Sequence, residues 1–188
     1  MINIKYRINE EYLIKYNDDI ANKPIIYGVF IIESNFGFSL RDGCMIDDEL
    51  FQLFKFNDDL FDWFFNLNNI SINLIKNPEK LFRIGYDLDT ASTKNAIVFS
   101  RNKDKLNICM IEYEDQENKL GANVEIMPLC YTIVKDFDCI DINDWLENIS
   151  KTTQQFIKEI IKLQKNFEKN QHIIMVKNLL NEAIRHRL

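Results

Sequence analysis

The sequence predicts an α+β domain: an antiparallel sheet of about five to seven strands with helices packed against it. Short apolar stretches of strand length recur along the chain, and short polar segments separate them, as in antiparallel meanders. Residues 47–67 are rich in phenylalanine and have a helical period, and residues 141–188 carry a longer helical pattern. Because no linker or internal repeat interrupts the 188 residues, we expect a single domain over 1–188.

Composition and charge restrict the class of partner. The chain carries 29 Asp and Glu against 23 Lys and Arg, a net charge of −6. Since Lys and Arg supply the affinity for phosphate backbones, we do not expect a nucleic-acid partner. Residues 141–188 contain eight basic and six acidic residues, net +2, which leaves −8 for residues 1–140 and favours a basic partner there.

Targeting signals are not visible in the sequence. No run approaches the ~20 apolar residues that span a bilayer. The N-terminus lacks an apolar core followed by a small-residue cleavage site. We therefore expect a cytoplasmic protein that does not enter the membrane.

The first third of the chain predicts two or three strands and a short helix. Residues 2–8 alternate apolar and polar side chains, which indicates a half-buried strand at or near a sheet edge. Residues 10–21 are typical of a short helix or an irregular connection that ends before Pro24. Residues 25–33 are apolar on both faces and predict a central strand, and residues 36–41 would complete a tight hairpin with it.

Residues 47–67 are expected to form the main helix of the core, capped by Asp47 or Asp48. On a helical wheel, one polar stripe contains Asp59 and Asp62, and most of the apolar side chains lie opposite it. Phe56 and Trp63 fall at the border between the two faces. An alternative interpretation breaks the segment at Asn57, which would cap a second helix beginning at Asp58.

The remaining chain predicts more strands and a closing helical segment. Residues 68–80 are expected to be a connection. Strands are predicted to begin at Leu81, Asn95, Leu106 and Val124, and Pro128 would place the last of them at an edge or a bulge. A long helix should begin after an Asp141 cap, with a break near Asn170 and Gln171 before a final helix.

One motif suggests an enzyme. Asp87 and Asp89, in the order Asp-Leu-Asp-Thr after an apolar strand, resemble the DxDxT nucleophile motif of haloacid dehalogenase-like phosphohydrolases. That resemblance implies a divalent-metal-dependent phosphohydrolase. Such enzymes have a parallel sheet with long crossover connections, whereas here the next strand is predicted about five residues later. We keep this reaction as an alternative.

Other catalytic and metal chemistry has little support in the sequence. His172 and His186 both lie in predicted C-terminal helices, and neither zinc-type cysteine pairs nor a calcium-loop spacing occurs. We therefore predict no catalytic residue, metal or cofactor. The four cysteines are expected to be reduced thiols, mostly in the core; they are Cys44, Cys109, Cys130 and Cys139.

The organisation resembles that of bacterial immunity proteins of polymorphic-toxin systems, which are small, acidic α+β chains. The features that carry the resemblance are the segment IIYGVFIIESNFGFSL, the acidic aromatic segment NDDLFDWFFNL, the antiparallel strands and the closing helix DINDWLENISKTTQQFIKEIIKLQ. The resemblance implies a non-enzymatic protein that neutralises a basic toxin domain.

The expected partner contacts combine carboxylates that speed encounter with aromatic anchors; they are Phe56, Asp59, Asp62 and Trp63. A third alternative is a structural subunit that oligomerises through its lysine-rich C-terminal helices. The sequence leaves the oligomeric state open.

Overall fold

The computed structural model describes residues 2–16, 22–34, 45–56, 58–86, 93–114, 125 and 127–185. These residues form seven strands, five α-helices and one short 3-10 helix. The strands are β1 (Ile2–Ile8), β2 (Tyr27–Ser34), β3 (Asp58–Asp59), β4 (Leu81–Tyr86), β5 (Thr93–Asn102), β6 (Lys105–Glu114) and β7 (Thr132–Asp141). The helices are α1 (Glu10–Tyr16), α2 (Asp48–Phe54), α3 (Leu60–Lys76), α4 (Ile142–Leu163), the 3-10 helix (Lys165–Lys169) and α5 (Gln171–Arg185).

The first sheet has the order β1-β2-β3, and both pairings are antiparallel. β2 lies at its centre and β1 at its edge, as the sequence predicted. Gly28 is required where β2 passes β1, because a Cβ there would overlap the Arg7 carbonyl oxygen and lie 2.6 Å from Leu60 Cδ1. The predicted second hairpin strand at residues 36–41 lies outside the described residues.

The second sheet is an antiparallel meander in the order β4-β5-β6-β7. The three strands predicted from Leu81, Asn95 and Leu106 are confirmed. The fourth prediction was wrong in position, because β7 begins at Thr132 instead of Val124 and excludes Pro128. The apolar run before Thr132 suggested a strand, but the ladder with β6 requires the later residues.

Helices α3 and α4 join the two sheets. α3 packs against β2 of the first sheet and against β4 and β5 of the second, and α4 contacts β1, β6 and β7. One hydrophobic cluster runs through both sheets and through α3, α4 and α5. The α+β fold class is confirmed, with the seven antiparallel strands of the described chain divided between two sheets.

The predicted single helix over residues 47–67 is wrong. The chain forms the short helix α2, turns, adds the two residues of β3 to the first sheet, and begins α3 at Leu60. The alternative with a break near Asn57 is closer, although the cap of the second helix is Asp59. Residues 68–76, predicted as a connection, continue α3.

The C-terminal helical segment follows the prediction at its start. Asp141 caps α4, because its Oδ1 accepts a hydrogen bond from the Asn143 backbone N–H at 2.9 Å. α4 ends earlier than predicted, at Leu163, and a 3-10 helix follows. The predicted break near Asn170 and Gln171 is confirmed, because the final helix α5 begins at Gln171. Asn170 caps α5, because its Oδ1 accepts from the backbone N–H groups of His172 and Ile173.

The cysteine prediction holds for one residue among those the structure describes. Cys109 is buried, and burial raises the pKa of its thiol to about 11. Cys130 and Cys139 are exposed instead of buried, because Cys130 precedes β7 and Cys139 lies on that edge strand. Within the described ranges, no helix has both the length and the apolar character needed to cross a bilayer.

Candidate partner-binding surface

Helix α2 lies on the surface and buries none of its residues. Its N-terminus is capped by Asp47, whose Oδ1 accepts a hydrogen bond from the Leu50 N–H at 2.8 Å. Arg7 of β1 connects the helix to the first sheet. The Arg7 guanidinium pairs with Asp48 Oδ1 at 2.8 Å and lies 4.1 Å from the Phe51 ring centroid. The ion pair and the cation–π contact of Arg7 therefore hold α2 against the first sheet, since no side chain of α2 is buried.

Large apolar side chains remain exposed around α2. Met45 is 73% exposed, Leu53 71% and Phe56 54%. Contiguous apolar surface rimmed by polar groups often marks a site of protein interaction. We call the exposed side chains of Met45, Glu49, Leu53 and Phe56, together with the half-exposed Asp62, the α2 surface.

Phe56 belongs to a cluster of three aromatic rings from three different elements. Tyr12 comes from α1, Tyr27 from β2, and Phe56 from the turn after α2. The ring centroids are 4.8 Å apart for Tyr12 and Tyr27, 5.8 Å for Tyr12 and Phe56, and 5.9 Å for Tyr27 and Phe56. We call these three residues the ring cluster. Asn9 helps to place it, because its Nδ2 donates to the Lys55 carbonyl oxygen at 3.4 Å.

Asp59 lies beside the ring cluster and caps α3. It stands opposite Tyr27 in the ladder between β2 and β3. Its Oδ1 accepts hydrogen bonds from the Phe61 N–H at 3.1 Å and the Ile26 N–H at 3.3 Å. Burial and the nearby charge of Asp62 raise the pKa of the Asp59 carboxyl, and together they outweigh the opposing effect of Lys23. Asp59 is therefore chiefly a structural carboxylate.

Asp62 is the more exposed of the two predicted carboxylates, and Lys23 already pairs with it. The Lys23 Nζ lies 2.7 Å from both carboxylate oxygens of Asp62 and 3.4 Å from Asp59 Oδ2. Burial lowers the pKa of the Lys23 ammonium, but the hydrogen bond to Asp62 and the two carboxylate charges exceed that effect and raise it overall. The predicted acidic stripe is therefore partly neutralised by the chain itself.

Trp63 is not part of the exposed surface, and its predicted place at the border was wrong. Its side chain is 6% exposed and stacks on Phe30 with ring centroids 4.8 Å apart and planes 7° apart. Its Nε1 donates to Asp58 Oδ1 at 3.3 Å, while Asp58 Oδ2 accepts from the Phe30 N–H at 2.9 Å. The wheel assumed one helix, and the break before Leu60 changes the direction in which Trp63 points.

The structure thus separates the four predicted contact residues. Phe56 is exposed, Asp62 is half-exposed and ion-paired, Asp59 is a helix cap, and Trp63 is a core residue. Sequence reasoning missed Tyr12 and Tyr27, which meet Phe56 only through the three-dimensional fold. If Asp58 and Asp59 had been assigned to a strand beside β2, the sequence would have predicted that Tyr27 lies close to this segment.

The residues of the enzymatic alternative, Asp87 and Asp89, lie outside the described residues. The strands on either side of them, β4 and β5, pair antiparallel instead of being joined by a parallel crossover. In the part of the chain that the structure describes, no group of three or more His, Cys, Asp or Glu is placed to hold a metal ion.

No protein-family model, curated protein or solved structure matches the chain. Support for a function therefore comes from the surfaces described above.

Proposed function

We propose that this protein binds a basic protein partner through the α2 surface, and that it acts as an immunity-type inhibitor of a basic toxin domain. The observation that carries the proposal is helix α2, which buries no residue and leaves large apolar side chains exposed among carboxylates. A helix of this kind gains little from the fold of its own chain, whereas a partner that covers Leu53 and Phe56 removes their apolar area from water.

The charge of this region supports a basic partner. Residues 45–62 contain six Asp and Glu and one lysine, net −5. Arg7 and Lys23 pair with carboxylates of this segment and add two positive charges, which leaves −3. Complementary charge of this kind raises the rate of association, while desolvated apolar groups at the centre of an interface supply most of the affinity.

The immunity-type function is tested with the product of the neighbouring gene, which the resemblance implies is the toxin. We expect that co-expression of this chain restores growth to cells that make the toxin domain, and that the two proteins form a complex with 1:1 stoichiometry. Phe56→Ala together with Leu53→Ala should weaken the complex at least about tenfold, because both anchors are lost. Isothermal titration calorimetry measures the change.

Charge-reversing substitutions test separately how much electrostatic attraction contributes to the rate of association with the partner. Glu49→Lys together with Asp62→Lys should lower the association rate by about tenfold at low salt, and this loss should shrink as salt is added. Glu147→Lys together with Glu168→Lys, at two exposed positions outside the α2 surface, is the control matched in charge and should leave the rate unchanged. If the control and the α2 variants bind alike, the α2 surface is not the interface.

A further inference from the structure

We propose that the ring cluster of Tyr12, Tyr27 and Phe56 is a receptor for one cationic group, an ammonium or guanidinium, that the partner inserts. The identity of the donor as a partner side chain rests on the proposed function, whereas the recognition of a cation by the three rings stands on their own geometry.

The ring planes are steeply inclined to one another. The interplanar angles are 75° for Tyr12 and Tyr27, 81° for Tyr12 and Phe56, and 70° for Tyr27 and Phe56. Steeply inclined rings with centroids 4.8, 5.8 and 5.9 Å apart fit a corner in which one point lies about 4 Å from every centroid. This distance is within the ~6 Å over which a ring face attracts a cation.

The ring cluster is accessible to solvent at Phe56. Phe56 is 54% exposed, and Tyr12 and Tyr27 are partly buried at the base of the cluster. The rings come from α1, β2 and the turn after α2, so the sheet and the two helices fix their relative positions. A receptor built on different elements is preorganised, which lowers the entropy that a ligand must remove on binding.

The electrostatics around the cluster select a cation over an apolar group. Lys55 Nζ lies 5.7 Å from the Phe56 ring centroid, so this ring already attracts one ammonium group, which an inserted cation would displace. Asp59 stands opposite Tyr27 in the ladder, and Glu10 and Glu11 are exposed in the first turn of α1, directly before Tyr12 in the sequence. The surrounding carboxylates add to the attraction of the ring faces.

The probe is tetramethylammonium chloride, titrated into the intact protein at constant ionic strength with sodium chloride as the balancing salt. Ring proton resonances of Tyr12, Tyr27 and Phe56 should shift along saturable curves, and the methyl resonance of the probe should move upfield. Sodium chloride alone should not reproduce these shifts. Linear, unsaturable shifts, or equal shifts with sodium, would overturn the proposal.

Substitutions of Phe56 test whether the cation binds to the face of the aromatic ring or only to an apolar side chain of similar volume. Phe56→Leu should weaken tetramethylammonium binding by about two- to fivefold, because it removes one ring face, whereas Phe56→Tyr should keep it within about twofold. Met175→Ala, which removes an exposed apolar side chain of α5 outside both the cluster and the α2 surface, is the matched control and should bind as the parent does. Equal binding by Phe56→Leu and the parent protein would overturn the ring receptor.

The outcomes distinguish the two proposals. Saturable tetramethylammonium binding without binding of the basic protein supports the ring receptor and overturns the proposed function. Binding of the basic protein without tetramethylammonium binding overturns the ring receptor alone.

Discussion

Phe56 and Trp63 show how far the surroundings of one aromatic side chain can differ from those of another seven residues away. Phe56 contacts two tyrosines and is 54% exposed. Trp63 is enclosed, stacks on Phe30 and donates its indole N–H to a buried carboxylate. The helical period placed both residues at the border between the polar and apolar faces. The wheel treated residues 47–67 as one helix and took no account of the turn between α2 and α3.

A pair of alanine substitutions measures this difference. Trp63→Ala should lower the free energy of unfolding by about 3–5 kcal/mol, because it opens a cavity beside Phe30 and leaves Asp58 Oδ1 without its indole donor. Phe56→Ala, at an exposed site, should lower it by less than about 1 kcal/mol. Urea unfolding followed by circular dichroism gives both values, and similar losses would contradict the burial of Trp63.

Helix caps were the most predictable element boundaries. Asp47 and Asp141 both precede helical patterns, and both accept backbone N–H groups as expected. The start of α3 was harder to identify, because Asp58 and Asp59 resemble a solvated helix face and become a strand and a cap only when β2 is beside them.

Two other boundaries depended on tertiary contacts. The Asn- and Ser-rich sequence at 68–76 has a weak helical propensity, yet α3 continues because Asn68 and Ser71 form hydrogen bonds with Thr153 and Trp145 of α4. β7 includes the acidic residues after Thr132, because the backbone of β6 pairs with that part of the chain. Local pattern could not reveal either contact.

Asp59, the cap of α3, should make the free energy of unfolding depend on pH. Burial and Asp62 raise the pKa of Asp59 above its ordinary value of 3.8, so the folded state binds the proton more tightly than the unfolded state. Asp59 therefore contributes more stability as the pH falls through its raised pKa, and less at neutral pH. Asp59→Asn keeps a capping side chain without the titration.

The variant should consequently be more stable, relative to the parent protein, at about pH 7 than at about pH 4. Urea unfolding of both proteins at the two pH values gives the difference, in which the titration of the other carboxylates largely cancels. A relative stability that is constant, or that rises toward acid pH, would show that the Asp59 carboxyl is not penalised in the fold.

At the scale of the whole molecule, a buried polar network between α3 and α4 lies where the two sheets meet. Asn68 Nδ2 donates to Thr153 Oγ1 at 2.8 Å and to the Phe64 carbonyl oxygen at 2.7 Å. Trp145 Nε1 donates to Ser71 Oγ at 2.8 Å. Because α3 and α4 each contact both sheets, this network fixes how the sheets are placed relative to each other.

A double-mutant cycle tests that role. Asn68→Ala and Thr153→Val should each destabilise the protein, and the double variant should lose less than the sum by about 1 kcal/mol, which is the coupling of one buried hydrogen bond. Urea unfolding midpoints and slopes provide the four free energies. Additive losses would mean that the Asn68 and Thr153 side chains are not coupled across the two helices.

Helix α2 has a different consequence for the sequence history of this molecule. Because it buries no residue, substitutions along it change the free energy of unfolding by little, about 0.5 kcal/mol or less for a typical exposed position. Its apolar and acidic side chains are thus free to vary while α3, α4 and the two sheets stay the same. The exposed surface of α2 can therefore diversify at nearly constant stability, without rebuilding of the fold.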